Sequence, residues 1–247
     1  MAGAMILAAG RGLRMRPLSD FTPKTLLVVG GKPLIAWQIE ALARAGFRDI
    51  VINAAWLAPQ LVAALGDGDA FGVRIRWSLE PEPLEAAGGI ATALPLLPPG
   101  PVLIVSGDVW TRFDYATLAA RAGAMARDPA PSRVHLVMVP NPAFHREGDF
   151  VLDAGRIALG EARKMTFGNI GLYDTALFGE LPRGAKLKLL PLFCDWITRG
   201  WVSGERFDGP WANVGTPAEL DALDQELLRS FLTAEGTRRP TIRRKDS

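Results

Sequence analysis

A single cysteine in 247 residues, Cys194, excludes an internal disulfide, so packing alone has to hold the fold. Its neighbours Leu192, Phe193 and Trp196 predict a buried structural thiol, not a nucleophile. Histidine is almost as scarce, with only His135 and His145. His135 lies inside the apolar run Val134–Val139 and reads as structural. Charge of one sign is also lacking: 28 Lys and Arg face 26 Asp and Glu, a formal +2, so nothing global points to nucleic acid or an anionic membrane surface. No apolar run approaches the ~18 residues of a membrane span. The run Ala2–Ala9 is short and has no basic leader. These absences predict a cytoplasmic protein with neither nucleic acid nor membrane as a partner, and leave its oligomeric state open.

What is present is enough apolar sequence, 49% of residues, for one large α/β domain with a real core. We place that domain at residues 1–232. The remaining 233–247, crowded with Arg238, Arg239, Arg243, Arg244 and Lys245, reads as a basic, disordered tail. Ala4–Ala9 is a continuous apolar run ended by glycine, as suits a strand buried on both faces. A helix is predicted over Leu34–Ala45, with Pro33 before it and Gly46 where a left-handed terminator belongs. Strands follow at Ile50–Ile52, Val73–Trp77, Pro101–Val105 and Val134–Val139, with helices at Pro59–Leu65, around Tyr115–Met125 and at Pro217–Phe231. That rhythm predicts a Rossmann-like, mostly parallel sheet flanked by helices. From about Phe144 the rhythm changes. Short strands near Val151 and Ile157 and around Phe167–Tyr173 suggest an insertion forming a lid or small sugar-binding lobe.

The loop after the first strand is Gly10-Arg11-Gly12-Leu13-Arg14-Met15-Arg16-Pro17. Open parallel sheets bind ligands beyond the carboxyl ends of their strands, and glycines there let backbone N–H groups approach phosphate oxygens. Three arginines add permanent planar donors. No Gly-Lys-Ser/Thr closes the loop, so it is not a P-loop, and Met15 stands where the third glycine of the dinucleotide fingerprint belongs. Ala9, Gly10, Arg11 and Gly12 are therefore candidates for binding a nucleotide. Lys24 ends the same loop. Asp108, after a buried strand and Gly107, is expected to point into the crevice as a ligand for Mg²⁺, which takes oxygen donors and few protein groups. The block Glu80-Pro-Glu-Pro-Leu-Glu-Ala-Ala-Gly88-Gly89 reads as a stiff loop before a helix at Ile90. Glu80 and the backbone near Gly88 are candidates for reading the base.

Leu7-Ala8-Ala9-Gly10-x-Gly12-x-Arg14-Met15-Arg16-Pro17-Leu18, followed by Pro23-Lys24, resembles the signature of the sugar-1-phosphate nucleotidyltransferases. The similarity continues through Asn53-Ala54-Ala55-Trp56, Gly107-Asp108, Gly148-Asp149-Phe150 and Trp211-Ala-Asn213-Val-Gly-Thr216, from about Ala4 to Leu228. The resemblance implies the nucleotide-diphospho-sugar transferase fold and a reaction joining a sugar 1-phosphate to a nucleoside triphosphate with release of pyrophosphate. It is strongest to the uridylyltransferase branch that serves bacterial cell-wall recycling, which implies UTP and a muramic-acid 1-phosphate. By the same resemblance Arg16 holds the departing pyrophosphate, and Lys24 holds the α-phosphate and the sugar phosphate. Asp108 and Asn213 flank the metal. Asp149 contacts the sugar hydroxyls, and Asn169 lies in a matching region. Lys164 or Lys188 is available for the sugar phosphate or an acidic substituent. Two positions depart from the pattern: Asn213 replaces an aspartate, and Ala86-Ala87 replaces Thr-Gly. Guanylyl transfer to mannose 1-phosphate, another NDP-sugar synthase, and a non-catalytic nucleotide-sugar-binding subunit are the competing readings.

Overall fold

A computed structural model describes residues 3–127 and 132–236. The basic residues expected to form the tail lie outside the described residues. The chain runs β1 (Ala4–Leu7), α1 (Leu18–Phe21), β2 (Val28–Val29), β3 (Lys32–Pro33), α2 (Leu34–Arg44), β4 (Asp49–Ala54), α3 (Ala58–Leu65), β5 (Arg74–Leu79), α4 (Glu85–Ala93), β6 (Pro101–Ser106), β7 (Val109–Thr111) and α5 (Tyr115–Arg127). It continues with β8 (Val134–Val139), β9 (Phe150–Asp153), β10 (Arg156–Ala158), β11 (Lys164–Asp174), α6 (Leu190–Thr198), β12 (Val202–Arg206), β13 (Trp211–Asn213) and α7 (Pro217–Gly236).

Nine strands form one mixed sheet in the order β5-β4-β1-β6-β11-β8-β12-β10-β9. The first four are parallel, β8 and β12 are parallel, and β11 runs antiparallel between the two groups. Alternation along each central strand fills two separate cores. Ile6, Leu103 and Val105 pack with Ile35, Ile39, Leu42 and Leu118 of α2 and α5 on one face. Met5, Val102 and Ile104 pack with Ile90, Phe178, Phe193 and Trp196 on the other, under α4 and α6. Each such side chain contributes roughly 1.5–3 kcal/mol when fully buried. With both faces covered, these strands read in sequence as continuous apolar runs instead of alternating ones. A third cluster sits at the sheet's edge, where Leu220, Leu223 and Leu227 of α7 cover Met15, Leu34, Trp110 and Val214. It ties the last helix to the loop after β1 and to the strand after Asp108.

Several expectations need correction. Phe167–Tyr173 is not part of an insertion: β11 completes the central sheet between β6 and β8. The β9–β10 hairpin also belongs to the sheet, pairing with β12 through β10 and with the start of β11 through β9. The segment expected as a loop through Gly89 is helical from Glu85 onward. Its two glycines sit inside the helix because neighbours press on them: a Cβ on Gly88 would lie 2.1 Å from the Ala185 carbonyl, and one on Gly89 2.7 Å from Asn53 Nδ2. Helix α6 and strand β12 were not anticipated. Cys194 lies on α6, half-buried instead of fully buried. Helix α7 runs on to Gly236, past the boundary expected near Phe231.

Candidate active site

The carboxyl ends of β1, β4 and β6 converge on a cavity of about 970 Å³. One wall is the backbone from Ala8 to Arg14, the floor is Lys24, Thr25, Ser106 and Asp108, and the opposite rim carries Asn53, Trp56, Pro81, Glu82 and Ala86. Lys186 and Gly215 close it.

The loop after β1 is held open by local chemistry. Gly12 has φ +63°, a left-handed conformation costly for any residue with a Cβ, and such an atom would also lie 3.0 Å from Lys24 Cβ. The Gly12 carbonyl accepts from the Ser19 hydroxyl at 2.7 Å and the Met15 N–H at 2.8 Å. Gly10 borders the cavity with nothing within 4 Å of where its Cβ would be, so open space remains for a ligand. Arg11 lies 4.7 Å over the Trp56 ring, whose N–H donates to the Ser19 carbonyl at 2.8 Å.

Asp108 follows β6 in a sharp turn. Gly107 N donates to the Leu7 carbonyl at 2.9 Å, tying the ends of β6 and β1 together. A Cβ at Gly107 would lie 3.1 Å from Thr25 Cγ2, so glycine lets these two segments touch. Lys24 Nζ donates to Asp108 Oδ2 at 2.5 Å, with side chains only 13% and 25% exposed. A charge pair that sheltered is stronger than one in bulk water. The next strand, β7, pairs with β13 so that Asn213 faces Val109, and Val214 N donates to the Asp108 carbonyl at 2.9 Å. Asn213 Oδ1 is buried and has no hydrogen-bond partner. Asn213 does not itself line the cavity, but an orphaned buried acceptor on the strand next to Asp108 is one that a hard, oxygen-seeking cation would satisfy. Among the described residues there is no cluster of three or more His, Cys, Asp or Glu, so any divalent ion here depends on Asp108, Asn213 and the ligand's own oxygens.

The sequence-derived candidates divide into those that meet here and those that do not. Ala9, Gly10, Arg11, Gly12, Lys24 and Asp108 line the cavity. Arg16 does not: its guanidinium is ion-paired with Asp20 at 2.9 Å and is 58% exposed. Arg14 lines the cavity in its place, its Nη2 close against Gly215, where an added Cβ would come within 3.0 Å. Glu80 also stays out. It is buried, accepting from Asn53 Nδ2 at 2.7 Å and from Leu84 N at 3.1 Å, while Asn53 Oδ1 accepts from Ala8 N at 2.8 Å. That chain sutures β1, β4 and the rim loop, and burial pushes the Glu80 carboxyl up from its ordinary value against the pull of those two donors. Gly88 is covered by the 185–187 segment and donates to the Leu187 carbonyl. Lys188 is exposed, and Lys186 is the lysine of that segment that reaches the cavity.

Asp149 is engaged internally. Oδ2 accepts from Phe167 N at 2.8 Å and Oδ1 meets His145 Nε2 at 3.0 Å. Asn169 has φ +56° at the irregularity where the β11–β8 register shifts between Phe167 and Gly171. Such strain in a non-glycine residue marks a side chain re-aimed by a bulge. Missed by sequence reasoning were Arg14, Trp56, Thr25, Ser106 and Lys186. The first two lay inside quoted motifs. Lys186 comes from a distant loop and carries no local signal.

A glycine-rich backbone wall, a sheltered lysine–aspartate pair and two lining arginines, Arg11 and Arg14, at the carboxyl edge of a doubly wound sheet define a phosphate-binding enzyme of the nucleotide-handling α/β class. Comparison with known proteins makes the class specific. Residues 3–143 match the family model described as nucleotidyl transferase. The chain is 46% identical over 221 residues to the N-acetylmuramate alpha-1-phosphate uridylyltransferase of Neisseria meningitidis serogroup B, covering 88% of this chain and 94% of that protein. Its Caulobacter vibrioides counterpart is 34% identical over 92% of this chain and 97% of its own length. The mannose-1-phosphate guanyltransferase of Schizosaccharomyces pombe, at 40% identity, aligns with only 47% of this chain and 33% of itself. In fold, the chain superimposes on HddC from Yersinia pseudotuberculosis, solved with GMP-PN, with a TM-score of 0.75 at 18% identity, covering 92% and 99% of the two chains. This chain belongs to the nucleotidyl transferase family.

Proposed function

We propose that this enzyme transfers the uridylyl group of UTP to N-acetylmuramic acid 1-phosphate, with Mg²⁺, and releases pyrophosphate. The observation that carries the choice is coverage: the uridylyltransferase relatives align with nearly the whole chain, including β8 to β12, whereas the guanyltransferase match stops at about half. A phosphate monoester has its second pKa near 6. The acceptor therefore reaches the site mostly as a dianion, and no general base is needed. One of its oxygens forms a bond to the α-phosphorus of UTP as the bond to the β-phosphate oxygen breaks, and the electron pair leaves with pyrophosphate.

The protein's part is positioning and charge. Backbone N–H groups at Gly10–Gly12 hold the triphosphate. Arg14 receives the pyrophosphate end. Lys24, released from Asp108 as the nucleotide enters, draws the α-phosphate and the acceptor phosphate together. Asp108 and the orphaned Asn213 oxygen would hold Mg²⁺, which would supply charge to offset that of the phosphates.

Turnover is tested by incubating purified protein with each of the four NTPs and with N-acetylmuramic acid, N-acetylglucosamine or mannose 1-phosphate, following pyrophosphate. UTP with the muramic acid phosphate should be the best pair by kcat/KM. Lys24→Ala and Asp108→Ala should each cost about a hundredfold in kcat while the protein stays folded, with a cooperative melt at a somewhat lower Tm from the partner charge left unpaired. GTP with mannose 1-phosphate as the best pair would replace this reading with the guanylyl one.

A further inference from the structure

Among the described residues, three buried side-chain atoms have no hydrogen-bond partner: Thr25 Oγ1, Asn213 Oδ1 and Arg76 Nε. Arg76 lies on β5, at the far edge of the sheet. The other two stand on either side of Asp108: Thr25 touches Gly107, and Asn213 pairs with Val109. Native interiors pair nearly all such groups, so two orphans around one carboxylate call for a physical cause. The Asn213 oxygen can only accept, which suits a cation. The Thr25 hydroxyl carries a proton to donate, and a cation gives that proton nowhere to go.

Thr25 is fixed where it stands. Lys24–Leu26 make one tight turn, closed by Leu26 N donating to the Pro23 carbonyl at 2.8 Å. Thr25 is only 5% exposed, yet it borders the catalytic cavity. Its methyl group faces Gly107, where an added Cβ would lie 3.1 Å from Cγ2. Four residues thus form a square: Lys24 is ion-paired with Asp108, and beside that pair Thr25 packs on Gly107. A movement of Lys24 away from Asp108 therefore pulls on the Thr25 contact. The Lys24 charge, one residue away, repels a cation from this spot and favours an anion.

We propose that Thr25 is a further nucleotide-binding residue: its hydroxyl, shut off while Lys24 holds Asp108, is uncovered as Lys24 moves to the triphosphate and donates to a phosphate oxygen there. Lys24 and Thr25 then act together, one supplying charge and the other direction. The hydroxyl is unsatisfied in the ligand-free enzyme and satisfied in the complex, so its whole effect falls on binding. The inference rests on the proposed reaction only in taking a nucleoside triphosphate as the ligand.

Thr25→Val keeps the shape and removes the hydroxyl, whereas Thr25→Ser keeps the hydroxyl. Calorimetric titration of each with UTP and with inorganic tripolyphosphate, in Mg²⁺ and in EDTA, reads the contact directly. Thr25→Val should raise Kd about tenfold or more for both ligands, with or without the cation, the loss expected for a hydrogen bond to a charged group. Thr25→Ser should bind both as wild type does. KM for the sugar 1-phosphate at saturating UTP should not move. Because valine removes an orphan, the ligand-free Tm of Thr25→Val should equal or exceed that of wild type. A melt no worse together with clearly weaker binding is a combination that a packing role cannot give. A lower ligand-free Tm, wild-type Kd values in Thr25→Val, or a loss confined to the Mg²⁺ titrations or to the acceptor would overturn the inference and leave the proposed reaction standing. A wild type that binds neither ligand would remove both.

Discussion

The two arginines that straddle Met15 show how much rides on single residues in a loop. Arg14 and Arg16 have the same chemistry and are two positions apart, yet only Arg14 lines the catalytic cavity, while Arg16 turns outward to Asp20. Arg14→Ala should lower kcat by about a hundredfold, as for loss of one preorganised transition-state donor, and should weaken inhibition by added pyrophosphate. Arg16→Ala removes an exposed i,i+4 pair of the kind that contributes under about 1 kcal/mol, so its turnover should match wild type. The opposite ranking in a side-by-side assay would return the role to Arg16. Asn213 offers a second residue-scale contrast. Its Oδ1 is buried without a partner, and the carboxylate of an Asn213→Asp variant would add a negative charge beside Asp108. That variant should reach half-maximal rate at a several-fold lower Mg²⁺ concentration; an unchanged requirement would place position 213 outside the metal's reach.

At the scale of elements, β8 and β12 are joined by more than their parallel ladder. His135 is fully buried, with Nδ1 2.8 Å from Ser203 Oγ and Nε2 3.2 Å from Glu205 Oε1. Ser, His and Glu in a row suggest a nucleophile relay, but Ser203 is buried in the sheet and does not border the catalytic cavity, so the set is structural. Burial holds the His135 pKa below its ordinary value, with Arg121 pushing the same way, and the hydrogen bond from His135 holds Glu205 low against its own burial. Below about pH 6.5 the unfolded chain gains a proton on this histidine that the native state refuses, so stability falls with pH there. Glu205 adds to the loss further down, as its carboxylate is protonated below the ordinary carboxylate range. Urea unfolding of wild type should lose up to about 1 kcal/mol from this one site between pH 6.5 and 5.5, a component missing in His135→Gln. Elements also show where sequence reading stops. β1, β4, β6 and β8 were legible because strands covered on both faces are apolar throughout, and α2 because Pro33 and Gly46 bracket it. β11 was found but misplaced: its apolar run says that it is buried, and nothing in such a run says which way it points or between which strands it lies. α4 was shortened because Gly88 and Gly89 argue locally against a helix, and the reasons for them are the Ala185 carbonyl, nearly a hundred residues on, and the Asn53 side chain of β4.

For the molecule as a whole, the site exists only in the folded state, because its parts come from β1, β6, β7, β13 and α7, and Met15, Trp110, Val214 and Leu223 bolt them together in one small core. The motif stretches were readable one by one; their meeting around a lysine–aspartate pair is a property of the sheet order. A ligand that bridges these parts binds the native state alone and must raise Tm. At a hundred times its Kd it adds ~2.7 kcal/mol, which for a domain of this size is roughly 5–10 °C. The pattern across ligands follows from the charges already in place. Lys24 neutralises Asp108, and Asn213 brings an oxygen without a charge, so a divalent cation alone meets little net attraction. The triphosphate changes this by drawing Lys24 to itself and offering its own oxygens to the cation. UTP with Mg²⁺ should therefore give the full shift in a thermal melt, UTP with EDTA a smaller one, and Mg²⁺ alone almost none. GTP with Mg²⁺ should fall short of UTP with Mg²⁺. A shift from Mg²⁺ alone as large as that from the pair would mean that Asp108 and Asn213 form a preloaded metal site, with Lys24 already drawn away before the nucleotide arrives.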